Sequence, residues 1–275
     1  MPRDHLLAQQ GRELEAGVSS KLARIVRRGV QAGTPLPDVW QSFKNRGMHF
    51  YRGSVTLISS TPASMKTMLL LNLVDEMKVP TLYFSNDSNE MTVISRLLAR
   101  RTGIDSLITR ERAIEDPEWA GRVLSDIDWV RWSFVSSPTL EDIQEEVAAF
   151  DELWGEMPHL IVVDVLGKVD YSTGDYTGDE DIVRYLDRIA RESGACVVVA
   201  SHTSENVPGN PCQPLSALLN KIGKFPVMVL TLAHVSGVLY VAPVKNRDGF
   251  ADASGRSYVT FLVDPALARL EEVDG

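Results

Sequence analysis

Cysteine is scarce in this sequence: 275 residues carry only Cys196 and Cys212. That excludes a disulfide-stapled secreted scaffold, and no Cys/His spacing suits zinc. Cys196 sits in a Val-rich run and reads as a buried thiol in a reducing, cytoplasmic interior. Long apolar runs are missing as well, and none could span a bilayer, so no membrane role is expected. The opening Met-Pro-Arg-Asp-His lacks the basic-then-apolar build of a signal peptide. Positive charge is in deficit, with 28 Lys and Arg against 37 Asp and Glu and a net charge of −9. A general polyanion binder is excluded, because phosphate contacts need Lys and Arg. Local basic surfaces are not. Lys21, Arg24, Arg27 and Arg28 form one candidate, and Arg96, Arg100, Arg101, Arg110 and Arg112 another; each also reads as a solvated helix face. What is present in quantity is apolar residue, 44% of the chain, enough for a full core in one large domain with or without an appendage.

The order of patterns gives the fold class. Residues 4–30 carry Leu7, Leu14, Val18, Leu22 and Ile25 at helical spacing, and Gly29, Gly33, Pro35 and Pro37 then break the helix. Residues 1–35 therefore read as an amphipathic helix and linker, and 36–275 as the core domain. The helix needs something to pack on, either its own domain or a neighbouring subunit. From 54 onward strands are predicted at 54–59, 81–85, 130–135, 159–164, 195–200, 226–233, 238–244 and 257–263. Helical stretches lie near 66–78, 89–102, 117–126, 139–154 and 179–193. Runs such as Leu160-Ile161-Val162-Val163 and Val197-Val198-Val199-Ala200 are apolar throughout, which burial on both faces explains. The expectation is an α/β fold: a mostly parallel twisted sheet with helices on both faces, ending in antiparallel hairpins.

Glycine is missing where it matters most. Val55-Thr56-Leu57-Ile58-Ser59-Ser60 leads into Thr61-Pro62-Ala63-Ser64-Met65-Lys66-Thr67, and an apolar helix follows. This is the grammar of a phosphate-binding loop: backbone N–H groups and a helix N-terminus cradle phosphates, Lys66 reaches their oxygens, and Thr67 holds Mg²⁺. Ser60 and Met65 stand where that loop has its two glycines. If the Met65 position needs a positive φ, a side chain there costs on the order of 1–2 kcal/mol.

Four further segments carry chemistry. Asp164 ends the apolar strand 159–164, where a carboxylate faces the phosphates and serves the metal shell. Asp87 follows the strand 81–85 and can orient or deprotonate water; Asp87 or Ser88 reads equally well as a helix cap. His202 leaves the strand 195–200 at the same edge and can sense a terminal phosphate, although a lone His is usually structural. Lys245 and Arg247, two apart, point the same way and can reach a neighbour's nucleotide, or simply decorate a charged turn.

In this order the five segments resemble the motor domain of DnaB-type replicative helicases, within the RecA-like ATPases, over residues 36–270. That family's Pro-Ser-Met-Gly-Lys-Thr is matched by Pro62-Ala63-Ser64-Met65-Lys66-Thr67. Its Phe-Ser-Leu-Glu-Met, with the catalytic Glu, is matched by Phe84-Ser85-Asn86-Asp87-Ser88, and its Ile-Asp-Tyr-Leu-Gln by Val163-Asp164-Val165-Leu166-Gly167. Its Leu-Ser-Gln sensor corresponds to Ala200-Ser201-His202, and its Lys-Gln-Arg-Asn-Gly finger to Lys245-Asn246-Arg247-Asp248-Gly249. The resemblance implies ATP and Mg²⁺ as cofactors, DNA (single-stranded or forked) as partner, and a homo-oligomer, as in a hexameric ring. It assigns Ser60 and Pro62 to Thr67 to the nucleotide, Thr67 and Asp164 to the metal, and Asp87, Lys66, His202, Lys245 and Arg247 to catalysis. The 4–30 helix would stand for the subunit-docking linker helix, and the compact form suggests a phage replication or recombination protein.

The departures keep three readings open. The first is a DNA-remodelling ATPase. The second is a metal-dependent nuclease on the same fold, with Asp87, Asp164 and Asp170 or Asp175 holding Mg²⁺ or Mn²⁺. The third is a catalytically inactive module that binds DNA or replication proteins. The expected DNA-facing loops are poor in bases: 167–181 is acidic with Tyr171 and Tyr176 available to stack on bases, and 203–211 has no base, leaving Lys221 and Lys224 to help.

Overall fold

A computed structural model describes residues 33–171, 178–203 and 210–273. The predicted helix at 4–30, with the basic candidates Lys21, Arg24, Arg27 and Arg28, lies outside them. So do Asp175, Tyr176 and most of the loop after His202.

Nine strands form one sheet in the order β3-β2-β4-β5-β1-β6-β7-β8-β9. They are β1 (Val55–Ser60), β2 (Thr81–Ser85), β3 (Val130–Ser133), β4 (Leu160–Asp164), β5 (Cys196–His202), β6 (Met228–Val235), β7 (Val238–Asn246), β8 (Val259–Asp264) and β9 (Arg269–Glu272). β3, β2, β4, β5, β1 and β6 run parallel. From β6 on, each strand pairs antiparallel with the next. The expected mostly parallel sheet with antiparallel C-terminal hairpins is what forms.

The helices are α1 (Gln41–Asn45), α2 (Lys66–Met77), α3 (Glu90–Thr102), α4 (Ser106–Glu115), α5 (Pro117–Val123), α6 (Leu140–Trp154) and α7 (Asp179–Ser193). Strand residues alternate between two apolar layers, as a period of two requires. Ile58, Tyr83, Val162 and Val198 pack with Leu69, Leu70 and Leu73 of α2 and with Val93 and Leu97 of α3. Leu57, Leu82, Phe84, Ile161 and Val199 pack with Ile143 and Phe150 of α6 and Ile182 and Leu186 of α7. This two-sided cover explains why the central strands are apolar throughout. Leu69, Leu70 and Leu73 are at most 1% exposed, each contributing about 2 kcal/mol of apolar burial. That layer anchors the helix that follows the loop.

Several elements differ from the sequence expectation, α1 among them, since no helix is predicted at 41–45. α4 is present although no helix is predicted there, and the predicted helix at 117–126 is the shorter α5. β9 is an extra short strand whose Glu272 carboxylate accepts from the N–H groups of Gln41 and Ser42, closing α1 onto the far end of the sheet.

Candidate nucleotide site

Register brings the chemistry to one edge. Ser60 at the end of β1 pairs with His202 at the end of β5, and Ser85 at the end of β2 pairs with Asp164 at the end of β4. The carboxyl edge of a parallel sheet, where neighbouring crossovers diverge, is where such folds bind ligands. Here it opens into a cavity of about 520 Å³ lined by the 62–68 loop, Asp87, Ser88, Arg96, Asp164, Val165 and His202.

The loop keeps its wrap without its glycines. Ala63 and Met65 adopt left-handed backbone conformations, with φ of 59° and 62°. Met65 is therefore under the positive-φ demand that the sequence raised, and it is the residue that caps α2. Its side chain packs against the apolar layer while also lining the cavity. The Thr61 and Ser64 hydroxyls are 2.8 Å apart and brace the turn.

Lys66 is 8% exposed. Its Nζ donates to Ser60 Oγ at 2.9 Å and to the Thr61 carbonyl at 3.3 Å, and lies 3.3 Å from His202 Nδ1. Ser60, standing in a glycine's place, thus supplies an acceptor for the ammonium. Burial pulls the Lys66 pKa below its ordinary value, against the opposing charges of Asp164 and Asp87. His202 is also held low, by burial first and then by Lys66, so its neutral form accepts from the ammonium.

Asp164 is 2% exposed. Burial pushes its carboxyl pKa up; hydrogen bonds from the Thr67 and Tyr83 hydroxyls and the charge of Lys66 pull the other way. Thr67 and Asp164 together offer a hydroxyl and a carboxylate beside the cavity, a hard-oxygen pair that fits Mg²⁺ shared with phosphate oxygens. Among the described residues no three His, Cys, Asp or Glu side chains gather into a metal cluster.

Asp87 is exposed and faces the same cavity, with Lys168 Nζ at 4.0 Å. The capping role belongs to Asn89, whose side chain accepts from the Thr92 N–H, so neither Asp87 nor Ser88 is needed as a cap. Lys245 and Arg247 are not brought to this cavity. Lys245 Nζ donates to the carbonyls of Gly223 and Lys224 at 2.8 and 3.0 Å, and Arg247 lies exposed just beyond β7.

The basic group on α3 and α4 is not a single surface. Arg100 pairs with Asp75 and Glu76, and Arg101 with Asp75 and Asp126. The Arg112 guanidinium sits over the Trp119 ring. Lys224 is 3.4 Å from Glu180. Arg96 turns the other way, into the cavity. The sequence pattern groups Arg96 with its helical neighbours and gives Tyr83 no role; a phenol between Leu82 and Phe84 in a strand buried throughout is the signal that points to the second.

The DnaB-like helicase C-terminal domain family matches residues 40–218, spanning the loop, both acids and His202. The chain belongs to that family. Its relatives include the Gene 65 protein of Mycobacterium phage L5, 37% identical over 241 residues, which cover 83% of this chain and 90% of the relative. The Gene 65 protein of Mycobacterium phage D29 is 36% identical over 216 residues, 74% of this chain and 93% of the relative. A DnaB-like replicative helicase solved with regard to its interactions with primase shares the fold, with TM-score 0.73 and 16% identity over 94% of this chain and 67% of its own. A solved ATPase domain aligns with TM-score 0.72 and 16% identity over 95% and 99%. The DnaB-like domain here is thus a RecA-type ATPase fold of the replicative-helicase kind, with phage relatives. Among the described residues no helix is long and apolar enough to cross a membrane.

Proposed function

We propose that this DnaB-like domain hydrolyses ATP with Mg²⁺ and uses the cycle to move on single-stranded or forked DNA, in phage replication or recombination in the host cytoplasm. The observation that carries the reading is the convergence of Lys66, Thr67, Asp164, Asp87 and His202 on one cavity at the loop that follows β1. In this reading the backbone of Ser60 and Pro62 to Thr67 wraps the phosphates, and Lys66 leaves its carbonyl partners for the terminal oxygens. Thr67 and Asp164 would hold the metal, which would supply charge neutralisation at the phosphates. Asp87 orients the attacking water, and its exposure leaves room for that water. His202, already hydrogen-bonded to Lys66, registers the terminal phosphate when Lys66 moves. Arg96 adds a second cation of the same subunit to the phosphates.

The decisive experiment is phosphate release from ATP with forked DNA present. Wild type is expected to turn over in Mg²⁺, and Lys66→Ala to lose at least about a hundredfold. Unchanged hydrolysis in Lys66→Ala would overturn the mechanism. Cleavage of forked DNA by Mg²⁺ or Mn²⁺ without ATP, lost in Asp164→Ala, would establish the nuclease instead.

A further inference from the structure

We propose that Tyr83 is a positioning residue of the metal site, acting through Asp164; the proposal rests on the nucleotide reading above. Tyr83 lies in the middle of β2 and is fully buried. Its strand neighbours Leu82 and Phe84 face the α6–α7 layer, whereas Tyr83 faces the α2 layer. A phenol placed there must find a partner for its hydroxyl. It finds Asp164: the Tyr83 hydroxyl donates to Oδ2 at 3.1 Å.

Sheet register explains the reach. β2 and β4 are parallel neighbours, and Tyr83 stands opposite Val162, with Asp164 two residues further on. Residues two apart on a strand share a face, so Asp164 projects on the same side as Tyr83, one step diagonally along. A tyrosine spans that diagonal; a valine or leucine does not. Trp132, opposite Tyr83 on β3, holds the ring from the other side with centroids 4.9 Å apart.

The consequence falls on the carboxylate. The torsion that turns an aspartate carboxyl group is broad and weakly restrained by itself. With Oδ2 tied to Tyr83 and the Thr67 hydroxyl also bonded to the group, that rotation is fixed from both sides. Asp164 so held is one of the residues that line the cavity. Partners that orient a metal-binding carboxylate in this way commonly change metal affinity about 10–100-fold when removed.

The test is binding of a fluorescent ATP analogue to the full chain, titrated with Mg²⁺ and repeated in chelator. Tyr83→Phe keeps the ring and deletes only the hydroxyl. The expected result is an Mg²⁺ midpoint raised about tenfold, with affinity in chelator unchanged. In an Asp164→Asn background the same substitution should add nothing, because the partner is already altered. Tyr83→Met, which fills the space without a hydroxyl, should show the same Mg²⁺-selective loss should Tyr83→Phe fail to fold. An unchanged Mg²⁺ midpoint overturns the proposal while leaving the nucleotide reading intact. Equal loss with and without Mg²⁺ also overturns it, since that is how a purely structural residue behaves. If wild type binds no analogue at all, the nucleotide reading fails, and this inference fails with it.

Discussion

Three terms of similar size meet at Met65. The left-handed backbone at φ 62° costs about 1–2 kcal/mol for a side chain. Partial burial of the thioether chain against the α2 layer returns about 1 kcal/mol, and the smaller freedom of the unfolded chain relative to glycine returns about 0.4–1 kcal/mol. They nearly cancel, which is why the loop tolerates the residue. Met65→Gly should therefore leave denaturant stability within about 1 kcal/mol. Because the side chain also lines the cavity, the same change should tighten nucleotide binding measured by calorimetry. A large stability loss would mean that the packing term dominates. At His202 burial and a neighbouring charge act together. Its pKa is lowered in the fold by burial and by Lys66, so the unfolded chain binds more protons around the ordinary value of about 6.5. Its contribution is full above that value and is lost as pH falls toward the depressed one. Melting followed from pH 7.5 down to pH 5 should show a steeper decline for wild type than for His202→Gln. Parallel declines would remove His202 as the source.

Among the elements, the central strands were legible because burial on both faces leaves apolar runs that nothing else explains. The loop and the strand-end acids were legible because chemistry and register coincide at one edge. α4 was not, because its apolar residues point the wrong way: Leu107, Ile108 and Ile114 are 56–70% exposed, while Thr109 and Ala113 are its buried residues. β9 is too short to show a pattern. Hidden most completely was the network that ties α2 to α3 and β9. Asp75 on α2 takes Arg100 and Arg101, both at 2.6 Å, and Asn72 accepts from Arg100 and from the Leu270 N–H. These partners lie 25 to 198 residues apart, beyond any local rule. Asp75 is 9% exposed, and Asp75→Ala removes the carboxylate shared by two guanidinium groups, leaving Arg100 to Glu76 and Asn72 and Arg101 to Asp126. It should cost about 1–3 kcal/mol in urea denaturation. Arg100→Met should cost less in that background than in wild type, since the pair it would break is already gone.

On the scale of the whole molecule, the sheet order separates the two halves of the proposed chemistry. Lys66 and Thr67 follow β1, whereas Lys245 and Arg247 belong to the end of β7, on the far side of β6. Lys245 is engaged by carbonyls of its own subunit, and Arg247 is exposed and does not line the cavity. If Arg247 acts on phosphate, it acts on the nucleotide of another copy. Loss of such an arginine typically lowers turnover about a thousandfold or more. Arg247→Ala and Lys66→Ala should then each be inactive alone. In a random mixture, about a quarter of the interfaces pair an intact Lys66 with an intact Arg247 from the next subunit. ATP hydrolysis should reappear on mixing, to a corresponding fraction of wild type where sites fire independently. A mixture as silent as its components, under conditions where subunits exchange, would show that Arg247 does not complete a neighbour's site.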